Sequence, residues 1–235
     1  MVPVTSTERR ARRGEEGPRP VSSEPRTPKG RATKEALLGA ARQVFGEVGY
    51  TGARVSDIAA VAGLSNGAFY RYYTDKREVL VELLSDLLDR LVKDSHTPWV
   101  RERPLETMET SVERYLTFYE ANADLFRVLH ETVQLFPEVE AMQADGRVRF
   151  QESSARGIKR SKETGLMRPS VDPELGAAIL SGIIEHYAYT RFVLHRYPEK
   201  PIRTIARAIS AFWANGTYVP GKATTAEGDA TTPFA

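Results

Sequence analysis

Apolar residues recur along this chain at intervals of three and four, and no stretch shows strict alternation bounded by hairpin turns, so the pattern predicts helices throughout. In residues 31–47 the apolar positions are Leu37, Ala41, Val44 and Phe45, followed by Val48, with Gly49 placed to end the helix. Two short segments, 55–62 and 65–72, are separated only by Gly63 and Leu64. Residues 75–94 open with Asp75 and Glu78 in an Asp-x-x-Glu capping pattern, then stack Leu80, Leu83, Leu84, Leu87, Leu88, Leu91 and Val92 on one broad face. Leu105, Met108, Val112, Leu116 and Tyr119 mark another helix, and Leu125, Phe126, Leu129 and Val133 the next. A long, more polar one carries Val139, Met142, Gly146, Phe150 and Ile158, until Gly165 and Pro169 break the pattern. Asp172 as N-cap and Pro173 at the first helical position start a helix through Leu175, Ile179, Ile183 and Tyr187 to about His195. After a turn at 197–200, Ile202, Ile205, Ile209, Phe212 and Trp213 mark the last. The expected fold class is all-α with about nine helices, and no fixed-period repeat points to a solenoid.

Composition narrows the function classes. The chain has 235 residues, 41% hydrophobic and 27% charged, enough for one core or two small ones. No apolar run approaches the roughly 20 residues of a spanning helix, and the first residues carry charges and prolines where a secretory signal would be apolar, so a cytoplasmic protein without a membrane partner is expected. The absence of cysteine removes disulfides, thiolate metal sites and cysteine nucleophiles. The net charge of +2 is uneven: residues 1–77 hold 14 Lys and Arg against 8 Asp and Glu, and the remainder 19 against 23. A basic front and an acidic body suit a nucleic-acid-binding end joined to a non-binding partner domain. Residues 1–30 mix seven basic residues with four glutamates and five prolines, a composition that predicts a disordered arm, and residues 220–235 a disordered tail.

The two stubby segments carry the most information, because helices of seven or eight residues are marginal alone and must be held by packing. Ile58, Ala59 and Ala62 are expected to face inward from the first, Gly63 to take a positive-φ turn, Leu64 to plug the core, Ser65 to cap the second segment and Phe69 to anchor it. This is a helix-turn-helix pattern, and its second helix fits a major groove about 12 Å wide. Asn66 is suited to pair with adenine, Gly67 to close approach and Ala68 to a thymine methyl. Tyr70, Arg71, Tyr72 and Lys76 supply hydroxyl and cationic donors for phosphates. Lys76 opposes the macrodipole of the helix it opens, so an external anion explains it better than helix stability does.

The stretch over residues 31–84, above all Val55-Ser-Asp-Ile-Ala-Ala-Val-Ala-Gly-Leu-Ser-Asn-Gly-Ala-Phe-Tyr-Arg-Tyr-Tyr-Thr-Asp-Lys76, resembles the DNA-binding domain of the TetR family of bacterial transcription regulators. Residues 41–50 are similar to that family's first helix and its Phe/Gly/Tyr ending. The resemblance implies a three-helix DNA-binding domain over 31–77 and a helical ligand-binding and dimerisation domain over 78–219. It also implies base contacts by Asn66, Gly67 and Ala68, with phosphate and groove contacts by Tyr70, Arg71, Tyr72 and Lys76. Arg54 stands where the family usually has Thr or Ser, so the hydroxyl cap is missing and a guanidinium is placed to reach the same phosphate.

Residues 166–173 and the two helices after them resemble the family's dimerisation pair. Ala178, Gly182 and Ala188 permit close approach there, and Ile179, Ile183, Ile205, Ile209, Phe212 and Trp213 supply apolar area, although an intramolecular core would use the same residues. The implied partners are a double-stranded DNA operator, a small-molecule effector and a second copy held through helices at about 173–195 and 201–216. Tyr119, Phe126, His130 and Phe150 fall on helices expected to line an effector cavity, and packing alone also accounts for each of them. The expected function is a regulator, most simply a repressor released from a palindromic operator by a small apolar molecule. The alternatives are a helical enzyme and a nucleoid-type DNA-binding protein without ligand control. Against an enzyme, His96, His130, His186 and His195 show no metal spacing, and no P-loop or G-x-G-x-x-G is present; no catalytic residue, cofactor or metal is expected. A nucleoid protein needs a more basic body.

Overall fold

A computed structural model describes Pro25 and residues 27–220; most of the expected amino-terminal arm and nearly all of the expected tail lie outside the described residues. Among these residues the chain forms nine α-helices and no strand beyond an isolated bridge between Met167 and Tyr218, as the spacing predicts. The helices are α1 (Pro28–Gly52), α2 (Val55–Val61), α3 (Asn66–Phe69), α4 (Lys76–Ser95), α5 (Pro104–Ala121), α6 (Ala123–Thr132), α7 (Pro137–Glu163), α8 (Pro173–Ala188) and α9 (Ile202–Thr217). The first begins at Pro28, three residues inside the expected arm. Proline opens α5, α7 and α8, where its missing N–H costs no intrahelical bond, and the Asp172 carboxylate accepts from the Leu175 N–H at 2.7 Å to cap α8.

Two boundaries differ from the periodic pattern. The helix expected to run to His195 is α-helical only to Ala188 and continues as a π-helical turn, Tyr189–Val193, in which the Leu194 N–H reaches the Tyr189 carbonyl. Gly49 was expected to stop α1; it adopts φ 72° and kinks the helix, which resumes to Gly52.

The chain divides into two compact units. One comprises residues up to Ala41 together with Arg54–Leu80; the other comprises Arg42–Ala53 and everything from Val81 onward. In the first, Leu37, Ala41, Ile58, Ala59, Phe69, Tyr73, Val79 and Leu80 are at most 1% exposed and form the core. Phe69 packs its ring 5.6 Å from that of Tyr73, and the Lys34 ammonium lies 5.8 Å above the Tyr73 ring. The second buries the leucine face of α4 with Val112, Leu116, Leu125, Val128 and Leu129. Within it, three polar links run from α6 to the carboxyl-terminal part of α1: Asp124 to Arg42 at 3.2 Å, the Arg127 guanidinium to the Gly46 carbonyl, and Glu131 to the backbone at Tyr50 and Thr51. These account for the grouping of Arg42–Ala53 with residues far along the chain.

Candidate nucleic-acid interface and small-molecule cavity

The turn between α2 and α3 is fixed by its backbone. Gly63 sits at φ 68°, its N–H bonds the Ala60 carbonyl at 3.0 Å, and the Leu64 N–H bonds the Ala59 carbonyl at 2.8 Å, a Schellman closure. A Cβ on Gly63 would meet nothing within 4 Å, so the glycine is required by conformation and not by space. Ser65 then caps α3, its hydroxyl accepting from the Ala68 N–H at 3.2 Å. Leu64 is only half-buried, so the anchors of the pair are Ile58, Ala59 and Phe69.

The second segment of the pair is shorter than its pattern predicts. Regular α-helix covers Asn66–Phe69, and residues 70–73 continue in tighter turns, with Arg71 and Tyr72 donating to carbonyls three residues back, at Ala68 and Phe69. Asn66, Gly67 and Arg71 are exposed, Tyr70 is 58% exposed with its ring edge-on to Phe69 at 5.5 Å, and Tyr72 and Lys76 are half-buried. Ala68 is buried at 8% exposure, because the single turn of α3 directs it with Phe69 toward the core. Arg54 is exposed at the N-cap of α2 and makes no side-chain cap; its carbonyl alone takes the first N–H groups, from Asp57 and Ile58.

Lys76 opens α4, and the capping there is reciprocal. Asp75 accepts from the N–H groups of Arg77 and Glu78 at 2.8 and 3.0 Å, while the Glu78 carboxylate reaches back to the N–H and hydroxyl of Thr74. Two carboxylates thus satisfy the helix start.

The second unit holds a cavity of about 40 Å³ lined from α4 to α8. Tyr119, Phe126, His130 and Phe150 all stand in its wall. The rings of Tyr119 and Phe126 stack at 3.7 Å and 5°, and Phe150 packs edge-on against Tyr115 at 5.2 Å. His130 shares a 3.3 Å hydrogen bond with the Tyr119 hydroxyl and lies 4.0 Å from the Tyr189 ring. Burial holds the imidazole below the ordinary histidine range, more than the neighbouring Glu185 carboxylate restores. Burial, and after it Glu185, push the Tyr115 phenol up, so it stays a neutral donor.

Sequence reasoning missed the polar members of this wall. Arg147 on α7 grips Glu185 on α8 through two bonds, Nε to Oε2 at 2.9 Å and Nη2 to Oε1 at 2.8 Å. Nearby, the Gln151 amide donates to the Ser181 hydroxyl at 2.9 Å. Residues 38 apart show no pattern of their own; the nearest signal was Glu185 on the inner side of an otherwise apolar helix. No group of three or more potential metal ligands occurs among the described residues.

Residues 37–83 match the family described as bacterial regulatory proteins, tetR family. The chain is 29% identical over 164 residues to the uncharacterized HTH-type transcriptional regulator YdgC of Bacillus subtilis, covering 67% of this chain and 80% of that protein. In fold it is similar to SmeT, the repressor of the Stenotrophomonas maltophilia multidrug efflux pump SmeDEF, at TM-score 0.67 and 17% identity over 86% of this chain and all of that one. It is likewise similar to SmeT in its triclosan complex, at TM-score 0.62 and 19% identity over 86% of this chain and 99% of that one.

Proposed function

We propose that this chain, whose residues 37–83 match the tetR family of bacterial regulatory proteins, is a helix-turn-helix transcriptional regulator that acts as a repressor, held on a palindromic operator as a homodimer and released when a small, largely apolar molecule enters the cavity. Residues 31–77 are its DNA-reading domain and residues 78–219 its effector and dimerisation domain. The observation that carries this reading is the exposed set Asn66, Gly67, Tyr70 and Arg71, presented directly after a turn locked by Gly63 and Ser65. Asn66 and Gly67 address base edges; Arg54, Tyr70, Arg71, Tyr72 and Lys76 address phosphates and the groove wall.

Dimerisation is supported by the apolar surface of the last helices. On α8, Leu175 and Ile179 are 61% and 50% exposed, with Ala178 and Gly182 exposed on the same side; on α9, Phe212 is 62% exposed. Ile205 and Trp213 are buried and serve the core, and Trp213 fits within 3.3 Å of where a Gly176 side chain would start. Two-fold pairing places two reading segments on half-sites about 34 Å apart.

Control needs no chemistry. Helix α4 contributes Lys76–Leu80 to one unit and Val81 onward to the other, and Leu88, Leu91 and Val92 line the cavity. An effector that favours the non-binding state by about 1–3 kcal/mol weakens operator affinity roughly 5- to 150-fold. The triclosan complex of SmeT supports a small-molecule effector. Selection of fragments from random duplex DNA by the purified protein tests the reading: recovery of an inverted repeat is expected, and recovery of unrelated fragments would reject it.

A further inference from the structure

The wall of the cavity is formally neutral, but its charges are not equivalent. The Arg147 side chain keeps 44% of its surface in solvent and Glu185 only 25%. Returning the guanidinium to water therefore costs little, whereas stranding the carboxylate against the cavity costs more. Glu185 also acts on Tyr115 and His130, favouring the protonated form of each against the opposing Arg147. Around it stand the rings of Tyr115, Tyr119, Phe126 and Phe150, whose faces attract cations. At about 40 Å³ the cavity admits no drug-sized body as it stands, and Arg147 is the more exposed of its two charged lining groups.

We propose that the cavity takes a lipophilic organic cation, an amine or quaternary ammonium on an aromatic or alkyl body, whose charge replaces the Arg147 guanidinium at Glu185. This rests on the effector reading of the cavity and adds the charge class of the effector. A carboxylate ligand would have to take Arg147 and leave Glu185 unpartnered beside it. A neutral ligand would leave the ion pair closed and gain nothing from the carboxylate.

The test is isothermal titration of the full chain with three probes sharing one body: 4-phenylbutylamine, 4-phenylbutanol and 4-phenylbutyrate. The amine is expected to bind roughly tenfold more tightly than the alcohol, with the acid weakest. Glu185→Gln should bring the amine down to the alcohol's level while alcohol binding stays within about twofold. Arg147→Gln should strengthen amine binding several-fold, a gain that misfolding cannot imitate. Equal binding of amine and alcohol, or preference for the acid with loss in Arg147→Gln, would overturn the cation assignment and leave an effector cavity standing. Amine binding that left operator affinity unchanged would uphold the cation site and reject the effector reading. Binding of none of the three would overturn the assignment outright.

Discussion

Glu131 closes the kinked end of α1 at Thr51: one carboxylate oxygen accepts both the Thr51 N–H at 3.0 Å and its hydroxyl at 2.8 Å, and the other takes the Tyr50 N–H at 3.0 Å. The clamp forms because Gly49 turns to φ 72° and frees these N–H groups from the helical ladder. A Cβ on Gly49 would come within 2.8 Å of that carboxylate. Gly49→Ala should therefore destabilise by about 1–2 kcal/mol from the left-handed backbone alone, and more if the clamp is displaced. Urea unfolding of the variant reads this directly.

The same clamp sets an acid dependence. Burial raises the Glu131 carboxyl, but the N–H groups of Thr51 and Tyr50, the Thr51 hydroxyl and the charge of Arg127 outweigh it, so the group lies below the ordinary glutamate value. Its contribution is present above the unfolded value of 4.5 and is lost as pH falls through the lower folded value. The thermal midpoint of Glu131→Gln should lie below wild type at pH 7, and the gap should close under acid; a gap unchanged down to pH 3 would contradict the clamp.

His130 acts at milder pH. Its folded value lies below the unfolded 6.5, so the neutral ring is favoured and stability falls as pH drops below about 6.5. Glu185 opposes this shift and Arg147 assists it. Thermal midpoints from pH 8 to pH 5 should fall less steeply for His130→Gln than for wild type.

At the reading turn, Gly63→Ala should cost about 1–2 kcal/mol through backbone strain, with Gly63→Asn milder, since no neighbour obstructs the added side chain. Ser65→Ala should cost about 1 kcal/mol through the lost cap. Denaturant midpoints check both.

On the exposed faces of α8 and α9, Ile179→Glu and Phe212→Glu should leave the helical content of the chain intact while shifting sedimentation at micromolar concentration from dimer to monomer. Wild type sedimenting as a monomer would contradict the pairing.

Legibility followed the range of the interaction. Helix positions, the Gly63 turn, the Ser65 and Asp172 caps and the Asp75–Glu78 cap were visible because each is local, set by residues within five of one another. Periodicity also brought Tyr119, Phe126, His130 and Phe150 to one cavity. Glu131 to Thr51 and Arg147 to Glu185 span 80 and 38 residues, and no spacing rule announces them. The shortness of α3, four residues where the spacing predicts eight, is not legible because apolar spacing does not separate α-helix from the tighter turns that follow it. The end of α8 was misjudged because apolar spacing does not separate α from π geometry over one turn.

The central claim, that the segment after Gly63 reads duplex DNA, is tested most directly by fluorescence anisotropy on a selected duplex and a scrambled one across a salt series. Wild type should bind the selected duplex at least about 1,000-fold more tightly. Asn66→Ala should lose about 1–3 kcal/mol of discrimination at one base position, and Lys76→Ala should weaken both duplexes alike and reduce the salt slope by about one. Equal binding of both duplexes by wild type, with neither variant differing from it, would contradict the account.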